Sequence, residues 1–347
     1  MASLFLGGAS PSFPGHVAMP ARRLDWDAVV YHGKCMDGSA AAWVASRALP
    51  LGPELLLIPR VHGFDGDALP SLPEQLVGKR VLFLDLCPAL PVLMAVRAVA
   101  AAVLVLDHHV SKFRECGHLD YCYFDVARAG ATMAWEYFFP NSAKFPPSVL
   151  ACIQDHEKWQ FGRAHAQSRE FTYAWYLLTD PASPDHFQQL DTLALASLKL
   201  AQAGEAGAKH IALDFEDSTK RESAAFASFV AQGEMVGKWL AVDPAPETLR
   251  VALQDVIVTA RAVNVPYIFA STVGATLAAT VADIGITWAF DGVRRKFKVS
   301  LHSAPDSSVD VGTVAKALGG GGDVHAAEFE VEASLWPLWN SDDVWYV

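Results

Sequence analysis

Asp107-His108-His109 directly follows an apolar run, Ala102 to Leu106, that reads as a buried strand. Open α/β sheets gather their ligands at the carboxyl ends of strands, and an acid with two imidazoles is too costly to bury idly. Two other strand ends carry similar residues: His32 with Asp37 after the first strand, and Asp85 closing Arg80-Val-Leu-Phe-Leu. Asp155, on a helix expected over Ser148 to Lys158, can join them. Carboxylates and imidazoles together suit Mn2+, Fe2+ or Zn2+ better than Ca2+, which prefers oxygen alone. One carboxylate bridging two ions at about 3.5–4 Å separation would make a hydrolytic centre.

Bringing these positions together requires strands that alternate with helices. Strands are expected at Asp27–Tyr31, Glu54–Pro59, Arg80–Asp85, Ala102–Leu106 and Tyr121–Phe124. Helices are expected at Ser39–Leu49 with Ser39 as N-cap, at Leu72–Leu76, at Pro91–Ala100 and at Ala131–Phe138. This alternation predicts an α/β fold whose parallel sheet is covered by helices on both faces. From Gln189 to Val230 the composition favours long helices, read as a connector. Beyond it, Phe297, Val299 and Leu301 share one side of a strand over Arg295–His302. Val311, Val314, Ala315 and Leu318 share a helix face that Gly319 to Gly322 ends, and Glu328–Ala333 alternates again. These elements predict a smaller mixed α/β C-terminal domain. The expected division is a flexible extension over 1–25, the metal-binding domain over 26–165, the helical connector over 166–245, the C-terminal domain over 246–335 and an aromatic tail over 336–347.

The chain has 347 residues, 52% of them hydrophobic, enough for two cores. A formal charge of −11 argues against coating long nucleic acid, which needs a basic face, but leaves room for a small phosphorylated substrate beside metal ions. The longest greasy stretch, Leu90 to Leu106, is interrupted by Arg97 and reads as a helix and a strand rather than a membrane span. The 5 cysteines show no paired spacing and read as free thiols of an intracellular, cytoplasmic protein. Cys116, His118 and Cys122 have poor spacing for a zinc site. Residues 1–24 contain no acid, which is compatible with either mitochondrial import or plain disorder.

Four stretches in order give the chain a resemblance to the DHH phosphoesterases. They are Tyr31-His32-Gly-Lys-Cys-Met-Asp37-Gly38, which looks like the Gly-Lys-Cys branch of that family, then Phe83-Leu84-Asp85, Asp107-His108-His109, and Gln154-Asp155-His-Glu-Lys-Trp159. Phe124-Asp125 with Ala129-Gly130-Ala-Thr132 is similar too. The resemblance covers about residues 27–160 and again 262–332. It implies one Mn2+ or Mg2+ held by His32, Asp37 and Asp85, and a second held by Asp85, His108 and Asp155, with Asp85 bridging. Asp107 would orient an imidazole, and His109 would approach the phosphate as a proton carrier or electrostatic stabiliser. The implied reaction is hydrolysis of a P–O bond by a metal-activated water, on a small phosphodiester or nucleotide, or on pyrophosphate or short polyphosphate.

The pattern departs from the family at several positions. Ser39 stands where many relatives carry a second Asp. In the C-terminal domain His302 replaces an Arg, Asp323 stands where a His is expected, and Glu328 replaces a Gly. His302, Ser303, Gly320, Gly321, Gly322 and His325 are the expected substrate contacts, in a cleft expected between the two domains. A competing reading is a catalytically weak, partner-binding protein or homodimer that docks through the tail from Trp336 to Tyr346.

Overall fold

A computed structural model describes residues 18–49, 55–60, 72–140, 146–194, 199–200, 211–212, 224–242, 247–253, 256–280, 282–335 and 344–346. The chain divides into two compact units, Met1–Thr172 with Leu178–Gln232, and Tyr173–Leu177 with Gly233–Val347.

The first unit is built on strands β1 (Ala28–His32), β2 (Leu56–Arg60), β3 (Arg80–Leu84), β4 (Ala102–Asp107) and β5 (Cys122–Phe124). They form one sheet in the order β2-β1-β3-β4-β5, and every neighbouring pair is parallel. Val29, Val30, Leu82 and Phe83 are all fully buried, so both faces of the sheet are covered, as near-continuous apolar strands require. Val30, Phe83 and Val105 pack with Leu93, Val96 and Cys116 of the helices Leu90–Val99 and Val110–Cys116. The helices Met36–Ala48 and Gly130–Phe138 pack on each other and on the central strands. Because β1, β3 and β4 are neighbours, the chain segments leaving their carboxyl ends lie side by side. These segments carry His32, Asp85 and Asp107-His108-His109.

Several expected boundaries shift. Lys34 takes a left-handed turn (φ 61°) and the helix begins directly after it at Met36, so Cys35 is the N-cap and Ser39 lies inside the first turn. The Ser39 hydroxyl donates to the Met36 carbonyl instead of capping the helix. Pro59 does not end β2, because β2 is an edge strand and tolerates a missing N–H. The extension is anchored before residue 25: Arg22 donates to the Phe138 carbonyl and the Arg23 N–H donates to the Tyr137 hydroxyl. Residues 1–17 lie outside the described chain.

The expected connector is less uniform than its composition suggests. Its described helices are Ser168–Leu178, His186–Ala194 and Ala224–Val242, with a two-stranded pair, β6 (Lys199–Leu200) and β7 (Ile211–Ala212), breaking the helical run. Asp191 on the second helix accepts from Arg47 through both oxygens and from Trp43 Nε1, which clamps that helix onto Met36–Ala48.

The second unit is a mixed seven-stranded sheet in the order β12-β13-β11-β10-β9-β8-β14. Its strands are β8 (Glu247–Leu253), β9 (Val256–Asn264), β10 (Ile284–Asp291), β11 (Lys296–Ser303), β12 (Gly321–Gly322), β13 (Ala326–Glu332) and β14 (Val344–Tyr346). Val299, Leu301, Val311, Val314, Ala315 and Phe329 share one core, as the alternation and the helix face predict. The end of the tail is not a free strip. β14 adds to the sheet parallel to β8, with Trp345 buried and its ring stacked on Phe329 at 6.0 Å. Trp336 and Trp339 lie outside the described residues. Among the described residues, no helix is long and apolar enough to cross a membrane.

Candidate metal centre

Asp85 is the hub. It follows β3 with a left-handed backbone (φ 54°), a conformation that Asp tolerates better than most residues, and it is 1% exposed. Its Oδ2 lies 3.3 Å from His32 Nδ1 and 3.7 Å from Cys35 Sγ, and its Oδ1 lies 3.0 Å from His108 Nε2. Gly130 makes this position possible, since a Cβ on residue 130 would lie 2.6 Å from the Asp85 Cβ.

Asp37 approaches from the first turn of its helix, where Gly38 lets the backbone pass over the His32 carbonyl. Both Asp37 oxygens accept backbone N–H groups at 2.6 Å, from Gly130 and Ala131 at the start of their helix. Asp37 Oδ2 also faces His108 Nε2 at 3.3 Å. His109 is oriented by Asp107, whose Oδ1 lies 2.6 Å from His109 Nδ1 and also accepts the His108 N–H at 2.7 Å. A carboxylate only accepts, so this contact places the ring proton on Nδ1 and leaves Nε2 as the remaining ligand or donor atom.

Asp155 belongs to none of the close donor groups among the described residues. Its oxygens accept the N–H groups of Ala164 and His165 at 2.8 and 3.1 Å, which folds the following loop back on the helix. Glu157, two residues further on, offers a ligand atom within 4.8 Å of those of Asp37 and His108. The reason is helical geometry: residues two apart point about 200° from each other, so only one of the two acids on Ser148–Glu157 can face the sheet end. The same rotation separates Ser39 from Asp37, and the Ser39 hydroxyl meets His186 Nε2 at 3.1 Å. Glu157 thus brings a carboxylate from another helix close to Asp37 and His108. Cys35 and Lys158, both inside the stretches that carry the resemblance but not singled out in the sequence, also lie here, Cys35 beside Asp85 and Lys158 beside His108.

The electrostatics fit a cation. Burial, reinforced by the charge of Asp85, pushes the Asp37 carboxyl up. Burial and the charge of Asp37 push Glu157 up to about 7. Burial works against Asp85 as well, yet hydrogen bonds from His108 and His32 hold it below the usual carboxylate range. Burial opposes charging of His108, but Asp37 and Asp85 win and raise it. In the metal-free chain, protons thus offset a surplus of buried negative charge that a divalent ion would otherwise neutralise. Among the described residues, three groups have ligand atoms within 4.8 Å of one another: His32, Cys35 and Asp85; Asp85, His108 and His109; and Asp37, His108 and Glu157. Asp85 and His108 each belong to two of these groups.

The expected substrate contacts in the second unit lie differently. His302 is 2% exposed and packs against Gly274, where a Cβ would come within 2.5 Å of its ring, and burial pushes the imidazole down to about 4. It is a neutral buried residue with no open face for phosphate. The Ser303 hydroxyl donates to the Val309 carbonyl and lies 2.9 Å from His325 Nδ1. Gly321 and Gly322 form β12, paired with Glu328 and Ala327, and a side chain at Gly320 would strike the Glu328 carbonyl. Gly320 and Gly322 serve the close approach of the chain's own strand, whereas a side chain at Gly321 would meet nothing within 4 Å.

No family model matches the chain. Uncharacterized protein R106 of Acanthamoeba polyphaga mimivirus is 31% identical over 160 residues, 43% of this chain and 37% of that protein. The chain thus spans well under half the length of the curated relative it matches. Among solved structures, an uncharacterized protein from Helicobacter pylori G27 aligns with a TM-score of 0.37 at 14% identity, over 88% of this chain and 92% of that one. The pGpG-specific phosphodiesterase PggH from Vibrio cholerae aligns with a TM-score of 0.43 at 14% identity, over 89% and 94%. CDC45 from Entamoeba histolytica aligns with a TM-score of 0.37 at 8% identity, over 90% and 93%. Likenesses at this level carry nothing about chemistry.

Proposed function

We propose that the chain is a divalent-metal-dependent phosphohydrolase of the DHH type, acting on a small phosphodiester or nucleotide. The observation that carries this reading is Asp85, one buried carboxylate shared by two donor groups at the end of a parallel sheet. Divalent ions bound there would supply Lewis-acid charge and a water acidic enough to attack phosphorus near neutral pH. His32, Asp37, Asp85, His108 and Glu157 would hold them, with Mn2+ favoured over Mg2+ by the imidazole content. Asp37 is kept in place by the two backbone N–H groups it accepts. His109, oriented by Asp107, is the group available to move a proton to the leaving oxygen or to stabilise charge there. The net charge of −11 disfavours long nucleic acid and favours compact substrates, among which pyrophosphate or short polyphosphate needs the same P–O chemistry.

A second reading, a catalytically weak relative that serves as a binding subunit, is favoured by the burial of His302, which removes an expected phosphate contact. Turnover of phosphodiesters, dinucleotides, pyrophosphate and polyphosphate with Mn2+ or Mg2+ separates the two readings. Metal-dependent turnover lost in Asp85→Asn supports the enzyme. No turnover on any substrate, with no metal retained by the purified chain, overturns it.

A further inference from the structure

The group formed by His32, Cys35 and Asp85 contains a thiol for which the reading above has no use. Cys35 Sγ and His32 Nδ1 lie 3.7 and 3.3 Å from the same oxygen, Asp85 Oδ2. Metal bonds of about 2.3 Å to sulfur and about 2.0–2.2 Å to nitrogen and oxygen give a tetrahedral site donor–donor edges of about 3.3–3.6 Å. Both edges to Asp85 therefore already stand close to the spacing an ion would impose, and all three residues offer ligand atoms within 4.8 Å of one another. Cys35 is fixed in backbone by the left-handed turn at Lys34 before it and the helix starting at Met36 after it.

We propose that Cys35 is a thiolate ligand of the ion held by His32 and Asp85, so that this position takes a borderline-soft divalent cation such as Zn2+, Co2+ or Fe2+ in preference to Mg2+. The proposal rests on the metal-centre reading above. Without metal, the thiol is placed to donate its hydrogen to Asp85. On binding, the S–H bond breaks, the proton leaves to solvent and the sulfur lone pair forms the bond to the cation, with no change in oxidation state. A coordinated thiol loses its proton outright, and soft thiolate selects against Mg2+.

Cobalt reads this directly. The full chain, stripped of metal and titrated anaerobically with Co2+, is expected to show visible ligand-field bands and a near-ultraviolet thiolate-to-cobalt charge-transfer band. Cys35→Ser is expected to lose the charge-transfer band and keep the ligand-field bands. A wild-type chain with ligand-field bands but no charge-transfer band, or a band unchanged in Cys35→Ser, overturns the Cys35 assignment and leaves the metal centre standing. No cobalt bands at all overturns the metal centre itself. Should Cys35→Ser fail to fold, alkylation of the wild-type chain decides: Zn2+ is expected to protect Cys35 while leaving Cys122 unchanged, and unprotected Cys35 under saturating Zn2+ overturns the proposal.

Discussion

Lys158 Nζ stands 2.7 Å from Nδ1 of His108, the imidazole whose Nε2 faces Asp37 and Asp85. A ring that gives its Nε2 lone pair to a metal keeps its proton on Nδ1, so Lys158 must then accept, and only a neutral amine can. Burial already pushes Lys158 below the usual lysine range. Metal binding should therefore release a proton from this pair, and affinity should fall as pH drops. Calorimetry in buffers of different ionisation enthalpy is expected to count about one proton fewer released per chain in Lys158→Met than in wild type.

Glu157 and Asp155 should separate function from stability. Glu157→Gln removes a ligand atom but replaces a group already pushed towards neutrality, so stability should stay within about 1 kcal/mol while metal affinity drops. Asp155→Ala should leave metal affinity intact and cost about 1–3 kcal/mol, because two backbone N–H groups lose their acceptor. Metal titration beside urea unfolding checks both. The opposite pattern would restore Asp155 as the ligand.

The contrast between these two acids shows where sequence reasoning reached its limit. Strand ends rich in His and Asp follow from apolar runs, and the parallel order of β1, β3 and β4 brings them together without further information. Two acids on one helix differ only by rotation, and the phase of a helix relative to a sheet end is set by tertiary packing. The sequence leaves open what Gly320 and Gly322 serve for a related reason, since close approach to a strand and close approach to a ligand demand the same residue. Trp345 could be placed only once the sheet was known, because an aromatic in a tail has no periodic partner; alternation sets His302 opposite Leu301, but the packing of Gly274 over that second face is a tertiary fact.

Gly130→Ala tests the packing that seats Asp85. A methyl group there would meet the Asp85 Cβ at 2.6 Å and its Cγ and Oδ1 at 3.0 Å, and Asp85 has little backbone slack in its left-handed conformation. Helix propensity alone favours Ala by about 1 kcal/mol. A lowered melting temperature together with metal affinity reduced about tenfold or more is expected, the size typical when the support of a ligand is lost. A stabilised variant with unchanged affinity would show that Asp85 is not seated by this contact.

Acid should weaken both units. His186 and His302 are each 2% exposed, and burial pushes each down to about 4, below the value near 6.5 of an unfolded chain. Between these values the unfolded chain binds protons that the folded chain refuses, so the stability is complete above about pH 6.5 and is lost as pH falls towards 4. At pH 5 each residue should subtract about 2 kcal/mol. Urea midpoints at pH 7 and pH 5 should draw closer together in His186→Asn and in His302→Gln, and an unchanged gap in both would show that the histidines are not the cause.

Trp345 decides whether the end of the tail serves the fold or a partner. The ring is buried in the same core as Val299 and Leu301 and stacks on Phe329, and its strand takes a full place beside β8. Truncating an aromatic in such a position costs about 3–5 kcal/mol, from lost transfer energy and the cavity left behind. Trp345→Ala should therefore lower the denaturant midpoint of the second unit, followed by the fluorescence of its remaining tryptophans, with any loss of binding only secondary to that. A variant of unchanged stability that lost self-association or a partner would reverse the assignment, since a docking ring must be free in the isolated chain and a core ring cannot be.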